Sequence, residues 1–157
     1  MKAIYPGSFD PITYGHVDII SRARQIFDEL VIVIMVNDEK SGSFTMDERL
    51  EMVRECIKDY DNVSVVVGNG LTVNFAREIG AKVLVRGIRA VSDYEYELQL
   101  ATANMTLAED IHTIFILAKP EYSFLSSSTA KVIAKNHGDL TAFVPDNVAK
   151  KLKEKYQ

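Results

Sequence analysis

The sequence predicts an α/β protein: a Rossmann-like, doubly wound five-stranded parallel sheet with helices on both faces. Two observations carry this. Short apolar runs alternate along the chain with segments of helical periodicity, the pattern of β-α-β units. The run from Leu30 to Val36 is apolar without alternation, as a strand buried on both faces must be. Ligands of such sheets sit beyond the carboxyl ends of the strands, where strand order reverses.

Each element follows from local pattern. Ala3-Ile4-Tyr5 reads as a strand ending at Pro6-Gly7. Gly15 to Phe27 is the first helix, with Val17, Ile20, Ala23 and Phe27 at helical spacing. After the Leu30–Val36 strand, Thr45-Met46-Asp47-Glu48 is a capping box opening a helix to about Ile57. Val63–Val67 is the third strand, and Thr72–Ile79 a helix stopped by Gly80. Lys82–Val85 is the fourth strand. Ser92-Asp93-Tyr94-Glu95 has capping-box spacing and opens a long helix to about Glu109. Ile111–Leu117 is the fifth strand, and helices near Ser127–Lys135 and Asp146–Lys155 close the chain.

Composition narrows the function classes. A chain of 157 residues, 47% hydrophobic and 25% charged, is expected to fold as one domain spanning 1–157. A net charge of −4 argues against a general nucleic-acid coat but not against an anion held in a local basic pocket. The lone Cys56 forms no internal disulfide and reads as a small core residue; His16, His112 and His137 have no metal-ligand spacing, so no protein metal site is expected. Ala3-Ile4-Tyr5-Pro6-Gly7 is too short for a signal-peptide core, and no apolar run approaches the ~20 residues of a membrane span. A cytoplasmic location is the expectation. The Lys150, Lys151, Lys153 and Lys155 cluster reads as a solvated face near a helix C-terminus.

The segment from Tyr5 to His16 is the most informative. It joins the first strand to the first helix, where such sheets hold phosphate. Gly7 lets backbone approach a ligand, Ser8 offers a hydroxyl, and Gly15-His16 puts an imidazole in the first helical turn. The positive helix end disfavours imidazolium, so His16 is expected neutral until an anion arrives. A neutral ring that donates to a phosphate oxygen would stabilise a transition state. Ser8 and His16 are also types that cap a turn and a helix, and spacing alone leaves both readings open. Arg86 and Arg89 flank Gly87 at the end of the fourth strand. Their guanidinium forks suit phosphate, or else they bridge to carboxylates such as Asp93 or Glu95. Ser126, Ser127 and Ser128 form either an anion seat at a helix N-terminus or a serine-rich cap. Taken alone, Lys40 is an exposed loop lysine and Glu97 a solvated helix charge.

Gly-Ser-Phe-Asp-Pro followed by Thr-Tyr-Gly-His resembles the signature of nucleotidyltransferases with a Thr/His-x-Gly-His motif. Within them, the chain is similar to the bacterial phosphopantetheine adenylyltransferase family over essentially its whole length. The matching blocks are Tyr5–Pro11, Phe44-Thr45 with Glu48-Arg49, Asn74–Arg77, Arg86–Ala90, Tyr94–Glu97 and Ser123–Ser128. The resemblance implies adenylyl transfer from ATP to 4′-phosphopantetheine, giving 3′-dephospho-coenzyme A and pyrophosphate, with Mg²⁺ carried on ATP. It implies catalytic roles for His16, Lys40 and Arg89. It implies ATP contacts from Ser8, Phe9, His16, Gly87, Ile88, Arg89, Glu97 and the stretch Tyr122, Ser123, Phe124, Leu125, Ser126, Ser127, Ser128. Ser8, Lys40, Thr72, Arg86 and Asn104 would meet the acceptor. Many relatives have Thr where this chain has Ser8, and a larger apolar residue at Thr72. Lys131 is the nearest basic residue after the serine motif and is given no role. A homohexamer, and coenzyme A as a feedback ligand, are implied in the same way. Two rivals remain open: a nucleotidyltransferase with another acceptor, and a non-catalytic adenine-nucleotide sensor.

Overall fold

The computed structural model describes residues 1–36 and 42–157. Five strands, β1 (Lys2–Gly7), β2 (Glu29–Met35), β3 (Val63–Gly68), β4 (Val83–Ile88) and β5 (His112–Leu117), form one sheet. Every pairing is parallel and the order is β3-β2-β1-β4-β5. The helices are α1 (Tyr14–Ile26), α2 (Met46–Ile57), α3 (Thr72–Glu78), α4 (Val91–Leu107), α5 (Ser127–Lys135) and α6 (Asp146–Tyr156), with a 3-10 turn at Pro120–Tyr122. Among the described residues, no helix is long and apolar enough to cross a membrane.

The two-period of the strands divides the core. Ala3, Tyr5, Leu30, Ile32, Ile34, Val83 and Val85 point to one face, against Ile20 and Ala23 of α1, Met52 and Val53 of α2, Ala130 of α5 and Leu152 of α6. Ile4, Val31, Val33 and Leu84 point to the other, against Val73 and Ala76 of α3 and Ala108 and Ile111. Central strands are therefore buried on both sides, which is why β2 shows no polar alternation.

Local chemistry sets the helix starts. In α2, Thr45 Oγ1 accepts from the Glu48 amide at 3.2 Å while Glu48 accepts from the Thr45 amide at 2.8 Å, the reciprocal box read from sequence. In α5, Ser126 Oγ accepts from the Thr129 amide at 3.0 Å. Gly80, at φ 74°, ends the segment after α3 in the left-handed region that glycine tolerates.

Two local readings are corrected. The Ser92–Glu95 box does not form: α4 starts at Val91 with Ala90 as N-cap and no side-chain cap. Asp93 is instead drawn to the Arg89 backbone amide at 3.1 Å. Strand β4 also runs past Val85 to Ile88, because Arg86, Gly87 and Ile88 continue the ladder to Phe115, Ile116 and Leu117 of β5. Arg86 and Gly87 thus lie within a strand, and only Arg89 follows it.

Ile32 is fully buried at the sheet centre, paired with Tyr5 on one side and Val65 on the other. Ile32→Ala is expected to lower unfolding free energy by about 2–5 kcal/mol, read from the urea midpoint at constant slope.

Candidate active site

Strand order reverses between β1 and β4, and a cavity of about 460 Å³ opens beyond their carboxyl ends. Its wall brings together Ser8, Phe9 and His16 from the β1–α1 segment and Arg86, Gly87, Ile88 and Arg89 from β4 and its end. Glu97 of α4 and Tyr122, Leu125, Ser126 and Ser127, also named from sequence, join them. Ser123, Phe124 and Ser128 stand off this wall, as do Thr72, the first residue of α3, and Asn104 of α4. Lys40 lies outside the described residues.

The orientation of His16 follows from the start of α1. The Thr13 backbone N–H donates to His16 Nδ1 at 3.0 Å. Nδ1 is therefore an acceptor, and in the neutral ring the proton sits on Nε2. Burial, together with Arg89 and Arg86, holds the His16 pKa down to about 4, so the ring is neutral at pH 7. The result is a fixed, uncharged N–H donor on the cavity wall. Thr13 and His16 have the N-cap-to-N3 spacing of a capping box with His in place of Glu, the signal by which sequence could have found Thr13.

Phe9 supports that ring from the other side. Its centroid lies 4.9 Å from His16 and 5.3 Å from Tyr5. Its backbone is left-handed (φ 45°), which costs a non-glycine residue on the order of 1–3 kcal/mol. The buried ring holds it there. A Cβ on Gly7 would come within 3.0 Å of the Phe9 ring, and one on Gly87 within 3.3 Å of Ile19. Glycine keeps both contacts relaxed, since a Cβ at either position would press on these side chains.

Both arginines are already engaged. Arg86 donates from Nε and Nη2 to the two oxygens of Glu97 at 2.8 and 2.7 Å, and from Nη1 to the Pro6 carbonyl at 2.6 Å. Glu97 is buried, so it is not the solvated charge its helix position suggested, and it rather than Glu95 takes Arg86. Arg89 donates from Nε to Asp93 at 3.1 Å and from Nη1 to the Leu125 carbonyl. The two guanidiniums and two carboxylates balance, so the remaining pull on an anion comes from free N–H groups and from the N-termini of α1 and α5. At α5 the Ser126 hydroxyl caps the helix and Ser127 Oγ donates to the Pro11 carbonyl at 2.7 Å. The capping reading of the serine motif is the one observed, and Ser126 and Ser127 of that capped helix line the cavity.

Sequence reasoning missed a second buried cluster. Asp10 accepts from the Ser43 and Phe44 amides at 2.8 and 2.9 Å. Arg49 donates to the Phe44 carbonyl at 2.9 Å and to the Ser8 carbonyl at 3.2 Å, with Asp10 3.4 Å away. This clasp ties the backbone of Ser8 to the stretch entering α2. A Cβ on Gly42 would lie within 1.6 Å of the Arg49 guanidinium, so glycine there makes room for it. Lys131 Nζ closes the cluster, 3.1 Å from Ser43 Oγ and 3.7 Å from Asp10, and stands off the cavity wall. Asp10 and Arg49 were legible only as members of motif blocks. Outside the site, Cys56 packs half-buried against the core with its thiol pushed up to about 11 by burial, and His112 and His137 are exposed.

Two outcomes test this geometry. Asp10→Ala leaves the buried Arg49 uncompensated and is expected to cost about 3–5 kcal/mol in urea unfolding. The His16 C2 proton is expected to titrate with a midpoint of about 4 by NMR. Because the native fold holds the neutral ring, the stability it contributes is full above about 6.5, the usual histidine value, and is lost as pH falls toward 4. A midpoint at 6.5 or above would overturn the assignment.

Comparison with known proteins gives the family. Residues 4–133 match the cytidylyltransferase-like family. The chain is 53% identical over 155 residues to the phosphopantetheine adenylyltransferase of Thermotoga neapolitana, covering 99% of this chain and 96% of that one. It is 49% identical over 155 residues to that of Staphylococcus carnosus, with coverages of 99% and 96%. It is 50% identical over 153 residues to that of Lachnoclostridium phytofermentans, with coverages of 98% and 94%. Matched to that family model over most of its length and about half identical to these enzymes from end to end, the chain belongs to the cytidylyltransferase-like family and, within it, to the phosphopantetheine adenylyltransferases.

Proposed function

We propose that the cavity transfers the adenylyl group of ATP to 4′-phosphopantetheine, giving 3′-dephospho-coenzyme A and pyrophosphate. The observation that carries this reading is His16: a neutral ring with its proton directed to Nε2, on the same wall as Arg86 and Arg89. The acceptor's phosphate has a second pKa of ~6 and is largely dianionic at pH 7, so it attacks the α-phosphorus in line without a general base. A new phosphorus–oxygen bond forms as the bond to pyrophosphate breaks, and no proton need move. The protein must align two polyanions and spread the charge growing on the α-phosphate.

His16 Nε2–H would donate to the α-phosphate in that state. Arg89 and the first residues of α5 would receive the pyrophosphate portion. Arg86 would hold the acceptor phosphate, and Lys40 would meet the transferred group. Mg²⁺ would enter as part of the ATP substrate, since octahedral Mg²⁺ keeps waters and uses few protein ligands. Among the described residues, no group of three or more His, Cys, Asp or Glu side chains is placed to hold a metal.

A cytoplasmic homohexamer with coenzyme A as feedback ligand belongs to the same reading. For the homohexamer alone the support is α4, which exposes Val91, Tyr96, Leu98, Met105 and Leu107 to solvent.

The test is pyrophosphate release with Mg·ATP and 4′-phosphopantetheine, in parallel with nicotinate mononucleotide, glycerol 3-phosphate or no acceptor. Release only with phosphopantetheine, with dephospho-coenzyme A seen by mass, is expected. Release with another acceptor would keep the chemistry and replace the substrate. ATP binding without release would favour a sensor. His16→Ala is expected to lower kcat by ~10²–10³ while ATP affinity changes far less. Equal losses in both would remove His16 as a transition-state donor.

A further inference from the structure

We propose that Asp18 and Arg22 of α1 are positioning residues for the ATP half of the cavity, acting through the chain that leaves β5. The inference rests on the adenylyl-transfer reading above and deepens it.

The first support is a peptide gripped from two sides. Arg22 Nη2 donates to the Leu117 carbonyl at 2.6 Å. The Ala118 N–H, in the same peptide unit, donates to the Ile88 carbonyl at 2.8 Å. In a trans peptide the N–H and C=O point in opposite directions. β4 therefore holds one edge of the Leu117–Ala118 plane and α1 holds the other. Leu117 is the last residue of β5, so this plane aims the chain as it leaves the sheet.

The second support is how the guanidinium is held. Nη2 also donates to Asp18 Oδ2 at 2.7 Å, one turn back on α1. Arg22 Nε is buried and has no hydrogen-bond partner among the described residues. Neutralising Asp18 alone would favour a side-on fork in which Nε and Nη2 are both paired. The guanidinium leaves Nε orphaned and reaches Leu117 instead. A buried donor without a partner is a cost that calls for an explanation, and the reach to β5 supplies one. Asp18 is buried, and a buried carboxylate is tolerated only with cations beside it. The second cation is Lys119, whose Nζ lies 3.6 Å from Asp18 Oδ1. Lys119 directly follows the gripped peptide, so Asp18 draws on the connection itself as well as through Arg22.

The third support is where the connection leads. The Tyr122 N–H donates to the Lys119 carbonyl at 2.9 Å, and the Leu125 N–H to the Tyr122 carbonyl at 3.0 Å. These local bonds pass the direction set at Leu117–Ala118 on to Tyr122 and Leu125. Ala118, Tyr122 and Leu125 all line the cavity, on the stretch that the adenylyl-transfer reading gives to ATP. The start of α1 packs against the same stretch: a Cβ on Gly15 would lie 3.7 Å from Leu125 Cβ and 3.9 Å from the Tyr122 carbonyl oxygen. His16, in contrast, is oriented by the Thr13 amide and not by this pair. The pair therefore governs how ATP is seated, and leaves the transition-state donor in place.

The test is steady-state kinetics and equilibrium ATP binding of wild type, Arg22→Met, Asp18→Asn and the double variant. Arg22→Met keeps an unbranched stem and removes the donors. It is expected to raise the KM for Mg·ATP by about 10-fold, the lower end of one charged hydrogen bond. The Kd for Mg·ATP, measured by calorimetry without acceptor, is expected to rise by the same factor. The 4′-phosphopantetheine KM and kcat are expected to stay within about three-fold. Asp18→Asn, of equal volume, is expected to move ATP binding in the same direction, and the double variant to lose less than the product of the two single effects. An unchanged ATP Kd, equal rises in both KM values, or a double variant at the full product would each overturn the proposal. So would a lower kcat with both KM values unchanged, which is what a smaller folded fraction gives. If Arg22→Met does not fold, Asp18→Asn carries the comparison. The calorimetric arm needs no turnover. If wild type binds Mg·ATP but does not use phosphopantetheine, the functional reading falls, while the change in ATP Kd still decides the positioning role.

Discussion

The parallel pairing of β1 with β4 is the constraint on which the site depends. With β2 and β3 on one side and β5 on the other, the connections leaving β1 and β4 diverge, and a crevice opens between them. Both strands are buried on both faces, so neither can shift without exposing core on two sides at once. Arg86 lies within β4, Ser8 and Arg89 directly follow the ends of β1 and β4, and His16 is set by the start of α1. The tight passage of Gly7 under Phe9 and of Gly87 under Ile19 belongs to the same packing.

Among the described residues, the arginines on the cavity wall are each paired with a carboxylate. Arg86 is paired with Glu97 and Arg89 with Asp93, both on α4, and His16 is neutral because its ring is buried and Arg89 and Arg86 lie near. Two polyanions must bind side by side for adenylyl transfer. A strongly cationic pocket would hold either alone, whereas oriented N–H groups reward only the correct geometry. The cost falls on folding, since buried charges must stay paired, and this is why α4 buries Glu97 while its apolar side chains face outward.

A similar logic operates at Asp10 and Arg49. Their hydrogen bonds run almost entirely to backbone: Ser43 and Phe44 amides, Phe44 and Ser8 carbonyls. They therefore govern chain path rather than charge in the cavity. Lys131 adds its ammonium to that cluster, so its nearness in sequence to the serine motif does not translate into a place on the cavity wall.

The sequence by itself determined the parallel α/β class, the order of elements and the segment between β1 and α1 as one wall of the cavity. Those features are written in local periodicity and in short runs such as Thr45–Glu48, whose hydrogen bonds close within a single turn. It also named most of the residues that meet at the cavity, through motif blocks. The tertiary structure alone decided the partners. Arg86 finds Glu97 eleven positions away, Arg49 finds Ser8 forty-one positions away, and His16 is buried beside Arg86 of β4 and Arg89 just beyond it. The Ser92 box fails for the same reason: Asp93 is recruited by Arg89 at the end of β4. Hydrogen bonds and ion pairs depend on distance in space, and that distance is set only when the sheet brings remote strands side by side.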